Sequence, residues 1–319
     1  MDKSSGIITE IHRLSTHDGP GLRTTVFFKG CSLHCQWCQN PETIDSLPHL
    51  EWDSSKCLGC SKCMESCPDK LVEIAQTGLN WNKDECIRCG SCTNACPSKA
   101  LSMVGKKTST DELMKEIKKD SLFFHNSGGG VTISGGEPLL QIDFLCNLIN
   151  HCKSENINVA LDTSAAVSLQ RLLKILPNID YLLMDIKEMD PNKHSLFTGS
   201  SNETILNNIS ALLSSDIDPK PDIWIRTPLI PGYTATEENI KSIAKYLNRN
   251  YDTSITKWEL CTFNNLCEMK YRKMGIQWAL INNSMLKKEE TDRYLEIARE
   301  RVNQSISVSI TGMTEKTTN

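Results

Sequence analysis

Three cysteines stand close together in the segment GCSLHCQWC: Cys31, Cys35 and Cys38. A soft three-thiolate loop of this kind suits an iron–sulfur cluster. A cubane carries four irons, so three thiolates leave one iron without a protein ligand. That iron can bind a substrate or cofactor directly. Zinc is the alternative reading, because structural zinc takes four ligands and His34 could supply the fourth. Eight more cysteines follow in two copies of one unit, C-x-x-C-x-x-C-x-x-x-C-P. The first copy is Cys57, Cys60, Cys63 and Cys67 before Pro68; the second is Cys86, Cys89, Cys92 and Cys96 before Pro97. The copies lie about 30 residues apart and mark an internal duplication. Zinc ribbons account for them poorly, since zinc ligands rarely come as four cysteines this close. The other four cysteines, Cys146, Cys152, Cys261 and Cys267, have no cluster spacing and read as buried small apolar residues.

Composition narrows the setting. The chain has 319 residues, 39% of them hydrophobic, enough for one large α/β domain plus a small insertion. Its formal net charge of −4 offers no nucleic-acid footprint. No segment approaches the roughly 20 consecutive apolar residues that span a bilayer. The opening stretch MDKSSGIITEIHR lacks the apolar run of a signal peptide, so a cytoplasmic protein is expected. Disulfide scaffolds are typically short and secreted, which leaves metal binding as the reason for close-set cysteines.

The cysteines need elements to position them. Residues 22–28 (LRTTVFF) predict a short buried strand that runs straight into Gly30-Cys31. Residues 49–104, rich in cysteine, predict an inserted small domain, with 1–48 and 105–319 forming the main one. Ser109-x-x-Glu112 is a capping box opening a helix through Lys119. Strands are then expected at 130–134, 157–161, 179–186, 222–230, 255–261 and 304–310. Helices are expected at 141–154, 169–176, 203–214, 237–248 and near 287–301. IDYLLMDI (179–186) is nearly continuous in apolar residues, as a strand buried on both faces should be. Repeated βα units imply a parallel sheet with ligands at the carboxyl ends of its strands. The polar motifs fall at those ends. Ser134-Gly135-Gly136-Glu137-Pro138 follows one strand, Asp162-Thr163 the next, and Asp185-Ile186-Lys187 closes the third. Each has a plainer reading: Glu137 as a cap or surface charge, Asp162 as a turn or helix cap, Lys187 as a solvated cation. Arg226 ends another strand, where an ordinary ion pair is as good a reading as a ligand contact.

With its aromatic Trp37, the loop Cys31-x-x-x-Cys35-x-Trp37-Cys38 strongly resembles that of the radical S-adenosylmethionine (SAM) superfamily. The resemblance implies a site-differentiated 4Fe–4S cluster on Cys31, Cys35 and Cys38, with SAM chelating the open iron. One electron then splits SAM into methionine and a 5′-deoxyadenosyl radical. It implies that the segment Gly135, Gly136, Glu137 hydrogen-bonds the SAM amino group. It also implies that Asp162, Thr163, Asp185 and Lys187 meet the SAM carboxylate, where the acids can hold a monovalent cation. The run Asp18-Gly19-Pro20-Gly21-Leu22-Arg23-Thr24, with Asn40-Pro41-Glu42-Thr43 after the loop, resembles the activating enzymes of glycyl radical enzymes more narrowly. By that resemblance the enzyme is an anaerobic oxidoreductase that takes a hydrogen atom from a backbone glycine of a partner glycyl radical enzyme. The fold implied is an open (β/α)6 partial TIM-like barrel with a bacterial-ferredoxin-like domain inserted after its first strand. In the bacterial ferredoxin pattern the fourth cysteine crosses over. One cluster would then use Cys57, Cys60, Cys63 and Cys96, and the other Cys86, Cys89, Cys92 and Cys67, for three 4Fe–4S clusters in all. Electron delivery through these is expected, from a donor such as flavodoxin or ferredoxin, in a monomeric chain.

The sequence departs from the family near residues 259–274. Many activators read ELLPYH-x-x-G-x-x-KY there; here Thr262, Asn264 and Cys267 replace proline, histidine and glycine. An amide can still hydrogen-bond a ribose hydroxyl, so Asn264 is expected to contact SAM. The same segment suggests a client such as a decarboxylase or a fumarate-adding (benzylsuccinate- or alkylsuccinate-type) synthase. Two other readings compete: a radical SAM enzyme acting on a small molecule, and a plain electron-transfer protein. The second leaves the three-cysteine group, GGEP and Asp185-Ile186-Lys187 without a task.

Overall fold

The computed structural model describes residues 4–75 and 78–315. Its strands are β1 (Ser5–Ser15), β2 (Arg23–Phe28), β3 (His49–Trp52), β4 (Val72–Ala75), β5 (Gly78–Trp81), β6 (Leu101–Val104), β7 (Lys106–Ser109), β8 (Gly130–Gly135), β9 (Asn158–Thr163), β10 (Tyr181–Asp185), β11 (Asp222–Leu229), β12 (Ile255–Thr262) and β13 (Ser307–Thr311). Nine of them form one sheet in the order β13-β12-β11-β10-β9-β8-β2-β1-β7. From β2 to β13 every neighbouring pair is parallel. The connections between these strands carry helices, as parallel pairing requires. The arrangement is an α/β fold with a mostly parallel sheet, consistent with a partial barrel. No described helix is long and apolar enough to cross a membrane.

Alternation along each strand sorts the two faces. Val26, Phe28, Val131, Ile133, Val159, Leu161, Leu182 and Met184 point outward into the main core, against Leu145, Leu148 and Ile149 of the helix Ile142–Ser154. The opposite face carries the polar residues Arg23, Thr25, Thr132, Ser134, Asp162, Asp185 and Arg226, interspersed with Phe27, Ala160, Leu183 and Trp224. Arg23, in the DGPGLRT run, is fully buried at the amino end of β2. It donates to Thr132 Oγ1 at 2.7 Å, Val131 O at 2.6 Å and Asn158 Oδ1 at 3.0 Å. It braces three neighbouring strands far from the strand ends where ligands belong. The predicted capping box is present, with Ser109 accepting from Glu112 N and the helix running Thr110–Ile117.

Two strands of the sheet escape the sequence pattern. β1 precedes the strand at 23–28 and pairs with it antiparallel, so the 49–104 segment follows the second strand of the chain, not the first. Register irregularities between Ile8 and Glu10, and between His12 and Ser15, break the alternation that would have shown it. β7 is a short edge strand carrying Lys106 and Lys107. Within 49–104, β3 pairs with β6 and β4 with β5, around a separate apolar cluster of Leu50, Cys63, Cys67, Val72, Cys92 and Leu101.

Candidate active site

The cysteine loop leaves β2 at Gly30 and is tied from both sides. Gly30 N–H donates to the Thr43 carbonyl at 2.6 Å and Cys31 N–H to that of Ile44 at 3.0 Å. Across the loop, His34 N–H reaches the Thr198 carbonyl at 2.8 Å and Gln36 N–H the Phe197 carbonyl at 3.0 Å. Both carbonyls belong to the helix Pro191–Thr198, which the sequence reading missed. Leu33, 2% exposed, anchors the loop in the main core. The end of β8 docks alongside, with Gly136 N–H on the Phe28 carbonyl at 2.9 Å and Glu137 N–H on the Gly30 carbonyl at 2.7 Å. That approach needs glycine. A Cβ on Gly135 would lie 2.3 Å from the Phe28 backbone, and one on Gly136 2.1 Å from the Gly30 oxygen.

A cavity of about 660 Å³ opens over these strand ends. Cys31, Cys35, Cys38 and Trp37 line one part of it. Gly135, Gly136, Asp162, Thr163, Asp185, Lys187 and Arg226 line the rest, with Asn264 and Lys270 at another edge. The elements that bring these groups together are consecutive parallel strands, as the strand-end expectation requires. His12, Ser15, His17 and Asp18 also line the cavity. They arrive through β1 and the turn after it, so the missed strand hid them.

Charge in the cavity is paired. Lys187 contacts Asp185 directly. Burial alone would lower the lysine, but the Asp185 carboxylate outweighs it and holds the ammonium raised. Burial raises the Asp162 carboxyl against the pull of Arg226, which stands 3.5 Å away; Ser134 Oγ donates to it at 2.8 Å. Burial pushes the Cys31 thiol up to about 12 and raises Cys35 and Cys38 as well. Such thiols stay protonated until a metal displaces the proton. His34, the fourth ligand of the zinc reading, does not line this cavity. Three soft sulfurs facing a lysine and two carboxylates fit a thiophilic cluster beside a ligand that carries both an amine and a carboxylate.

One residue of the expected set, Glu137, stands elsewhere. Glu137 is fully buried and does not line the cavity. Its oxygens accept from Thr163 Oγ1 at 2.7 and 2.8 Å, Ser164 Oγ at 2.7 Å, Ser164 N–H at 3.0 Å and Leu139 N–H at 3.2 Å. It caps the turn after β8 and ties that turn to the end of β9. Asn264 spends its side-chain oxygen on Leu266 N–H at 3.1 Å, leaving its amide nitrogen for the cavity. Trp37 is 5% exposed and packs edge-on against Phe197 and Tyr233. Cys152 and Cys267 are buried, as small apolar residues should be, but Cys146 is only partly so. Cys261 is a correction: it lines the cavity beside the charge of Arg226.

In the 49–104 segment, Cys57, Cys60, Cys63 and Cys96 line one small cavity of about 60 Å³. The Cys92 thiol is raised chiefly by burial, with Cys67 and Cys86 close enough to add to it. The chain thus brings Cys96, the fourth cysteine of the second copy, to the first three of the first copy.

Comparison with known proteins adds a family. A model described as the Radical SAM superfamily matches residues 25–247. The chain is 36% identical to the (2S)-3-sulfopropanediol dehydratase activating enzyme of Klebsiella oxytoca, over 98% of both chains. It is 41% identical to the trans-4-hydroxy-L-proline dehydratase activating enzyme of Clostridioides difficile, covering 84% of this chain and 87% of the relative. It is 38% identical to the indoleacetate decarboxylase activating enzyme of Tractidigestivibacter scatoligenes, covering 86% and 85%.

Proposed function

This chain belongs to the radical SAM superfamily and, within it, to the activating enzymes of glycyl radical enzymes, and we propose that the 660 Å³ cavity is where it performs that activation. One observation carries the reading: the three-cysteine loop and the polar ends of β8 to β11 surround a single cavity. Cys31, Cys35 and Cys38 would hold a 4Fe–4S cluster and leave one iron for SAM. When bound there, cluster and cofactor supply one-electron cleavage and a carbon-centred radical able to take a hydrogen atom from glycine.

The chain's own residues bind, orient and exclude water. Lys187, kept charged by Asp185, offers its ammonium to a carboxylate. Asp162, Thr163 and Asp185 supply oxygens for that end of the ligand or for a monovalent cation beside it. The amine would be met by backbone at Gly135 and Gly136 rather than by the Glu137 carboxylate, which is already spent on Thr163 and Ser164. Asn264 would offer its amide nitrogen to the ribose. Trp37 backs the loop with apolar surface. The open partial barrel admits the client's glycine loop, since a closed barrel fills its interior with side chains.

Residues 49–104 are read as a ferredoxin-like domain with clusters on Cys57, Cys60, Cys63 and Cys96 and on Cys86, Cys89, Cys92 and Cys67. The shared cavity of the first set supports this pairing. They would relay electrons from flavodoxin or ferredoxin. The relatives serve a dehydratase in some cases and a decarboxylase in others, so identity does not choose among clients. The test mixes reduced protein, SAM and purified glycyl radical enzymes of the dehydratase, decarboxylase, lyase and fumarate-adding classes. A glycyl doublet in electron paramagnetic resonance (EPR) from one class is expected. SAM cleavage with every client silent would reject the reading.

A further inference from the structure

The cysteine loop has a second set of supports that come from the far end of the chain. Tyr271 Oη donates to the Cys38 carbonyl at 2.9 Å. Trp278 Nε1 donates to the Gln36 carbonyl at 2.9 Å. Lys270 Nζ donates to Asn40 Oδ1 at 2.8 Å and to Glu42 Oε1 at 2.6 Å. In return Gln39 Nε2 donates to the Asn264 carbonyl at 3.0 Å. These bonds join residues 225 to 242 positions apart in sequence. Between Cys35 and Asn40 the loop's local bonds are few: Cys38 N–H to the Cys35 carbonyl, Gln36 N–H to Phe197, Gln39 Nε2 to the Trp37 carbonyl at 3.4 Å, and Thr43 onto the Asn40 carbonyl.

The donors sit in an apolar stack. The Tyr271 and Trp278 rings lie 5.1 Å apart at 14°, and Phe263 packs on Trp278 at 5.9 Å. Tyr271 is 7% exposed and Trp278 3%. Water therefore cannot readily take over a lost bond, and the freed carbonyl would stay unpaired.

We infer that Tyr271 and Trp278 are positioning residues for the cluster: they hold the carbonyls flanking Trp37 and so set the spacing of Cys35 and Cys38. This rests on the reading that Cys31, Cys35 and Cys38 carry a cluster. Groups behind metal ligands act this way by orienting the ligands, and losing one typically weakens metal retention 10–100-fold. The three-cysteine cluster needs it most, because one of its irons has no protein thiolate. The two small-domain sets receive no such support from residues 263–278.

The test uses Tyr271→Phe and Trp278→Phe, singly and together, in the full chain. Tyr271→Phe keeps the ring and loses only the hydroxyl donor; Trp278→Phe loses the Nε1 donor together with part of the stacked surface, so Tyr271→Phe is the cleaner of the two. Reconstituted anaerobic protein is reduced, SAM is added, and the EPR signal that responds to SAM is followed while a ferrous chelator removes iron. Cys35→Ala supplies the reference without that signal. Each single variant should lose its SAM-responsive cluster about tenfold faster than the wild type, equivalent to about 1.4 kcal/mol, and the double variant faster still. The SAM-insensitive signal should decay as in the wild type. Unchanged decay of the SAM-responsive signal would overturn the inference, as would equal acceleration of both signals. A wild type with no SAM-responsive signal would instead reject the site itself.

Discussion

Glu137 offers the sharpest single perturbation. Glu137→Gln keeps the shape but exchanges one accepting oxygen for an NH2 group. Leu139 N–H lies on one carboxylate oxygen, at 3.2 Å, and Ser164 N–H on the other, at 3.0 Å. The hydroxyls of Thr163 and Ser164 can rotate to accept from the new amide, but the backbone donors cannot. Whichever way the amide turns, one buried N–H faces an N–H. An unpaired buried donor costs about 1–3 kcal/mol, so a loss of about 2 kcal/mol in folding free energy is expected. The loss should also depend on pH. Burial holds the Glu137 carboxyl above its ordinary value of 4.5. A carboxyl raised in the folded state contributes fully below 4.5 and loses that contribution as pH rises through its folded value. The gap between wild type and variant should therefore be widest in mild acid and narrow as pH rises. Urea midpoints measured from pH 5 upward, with unchanged slope, read both effects. A gap under about 0.5 kcal/mol throughout, or one that widens with pH, would refute the argument.

Two further outcomes follow from the structure. Cys35→Ala should abolish SAM cleavage, whereas Cys89→Ala should lose its own cluster yet still bind SAM; calorimetric titration and 5′-deoxyadenosine assay separate them, and equal loss of affinity would point to a second active site. Asp120 ties β1 and β2 to the helical layer, through Arg13 and Thr24 respectively, and its bond with Arg13 holds its carboxyl below the ordinary 3.8. A lowered carboxyl contributes above 3.8 and ceases to as pH falls through its folded value, so the stability advantage over Asp120→Asn should shrink below about pH 4; a constant advantage by urea unfolding would exclude the ion pair as its source.

Much of this protein could be read along the chain. Cysteine spacing, the apolar runs of β2 and β10 and the capping box at Ser109 are local patterns, and local patterns survive folding because neighbours in sequence remain neighbours in space. Parallel topology then followed from the alternation of elements, and with it the gathering of Gly135, Asp162, Asp185 and Lys187 at one end of the sheet. What folding alone decided was direction and company. Glu137 stands next to a cavity-lining glycine, yet it turns inward because Thr163 and Ser164, at and just past the end of the next strand, offer it donors. Arg23 braces strand starts rather than the site. β1 was hidden by its own irregular register, and with it His12 and Asp18. The hold of Tyr271 and Trp278 on the cysteine loop spans more than two hundred residues. No spacing rule reaches that far, because such contacts arise only when the packed core brings the two ends of the chain together.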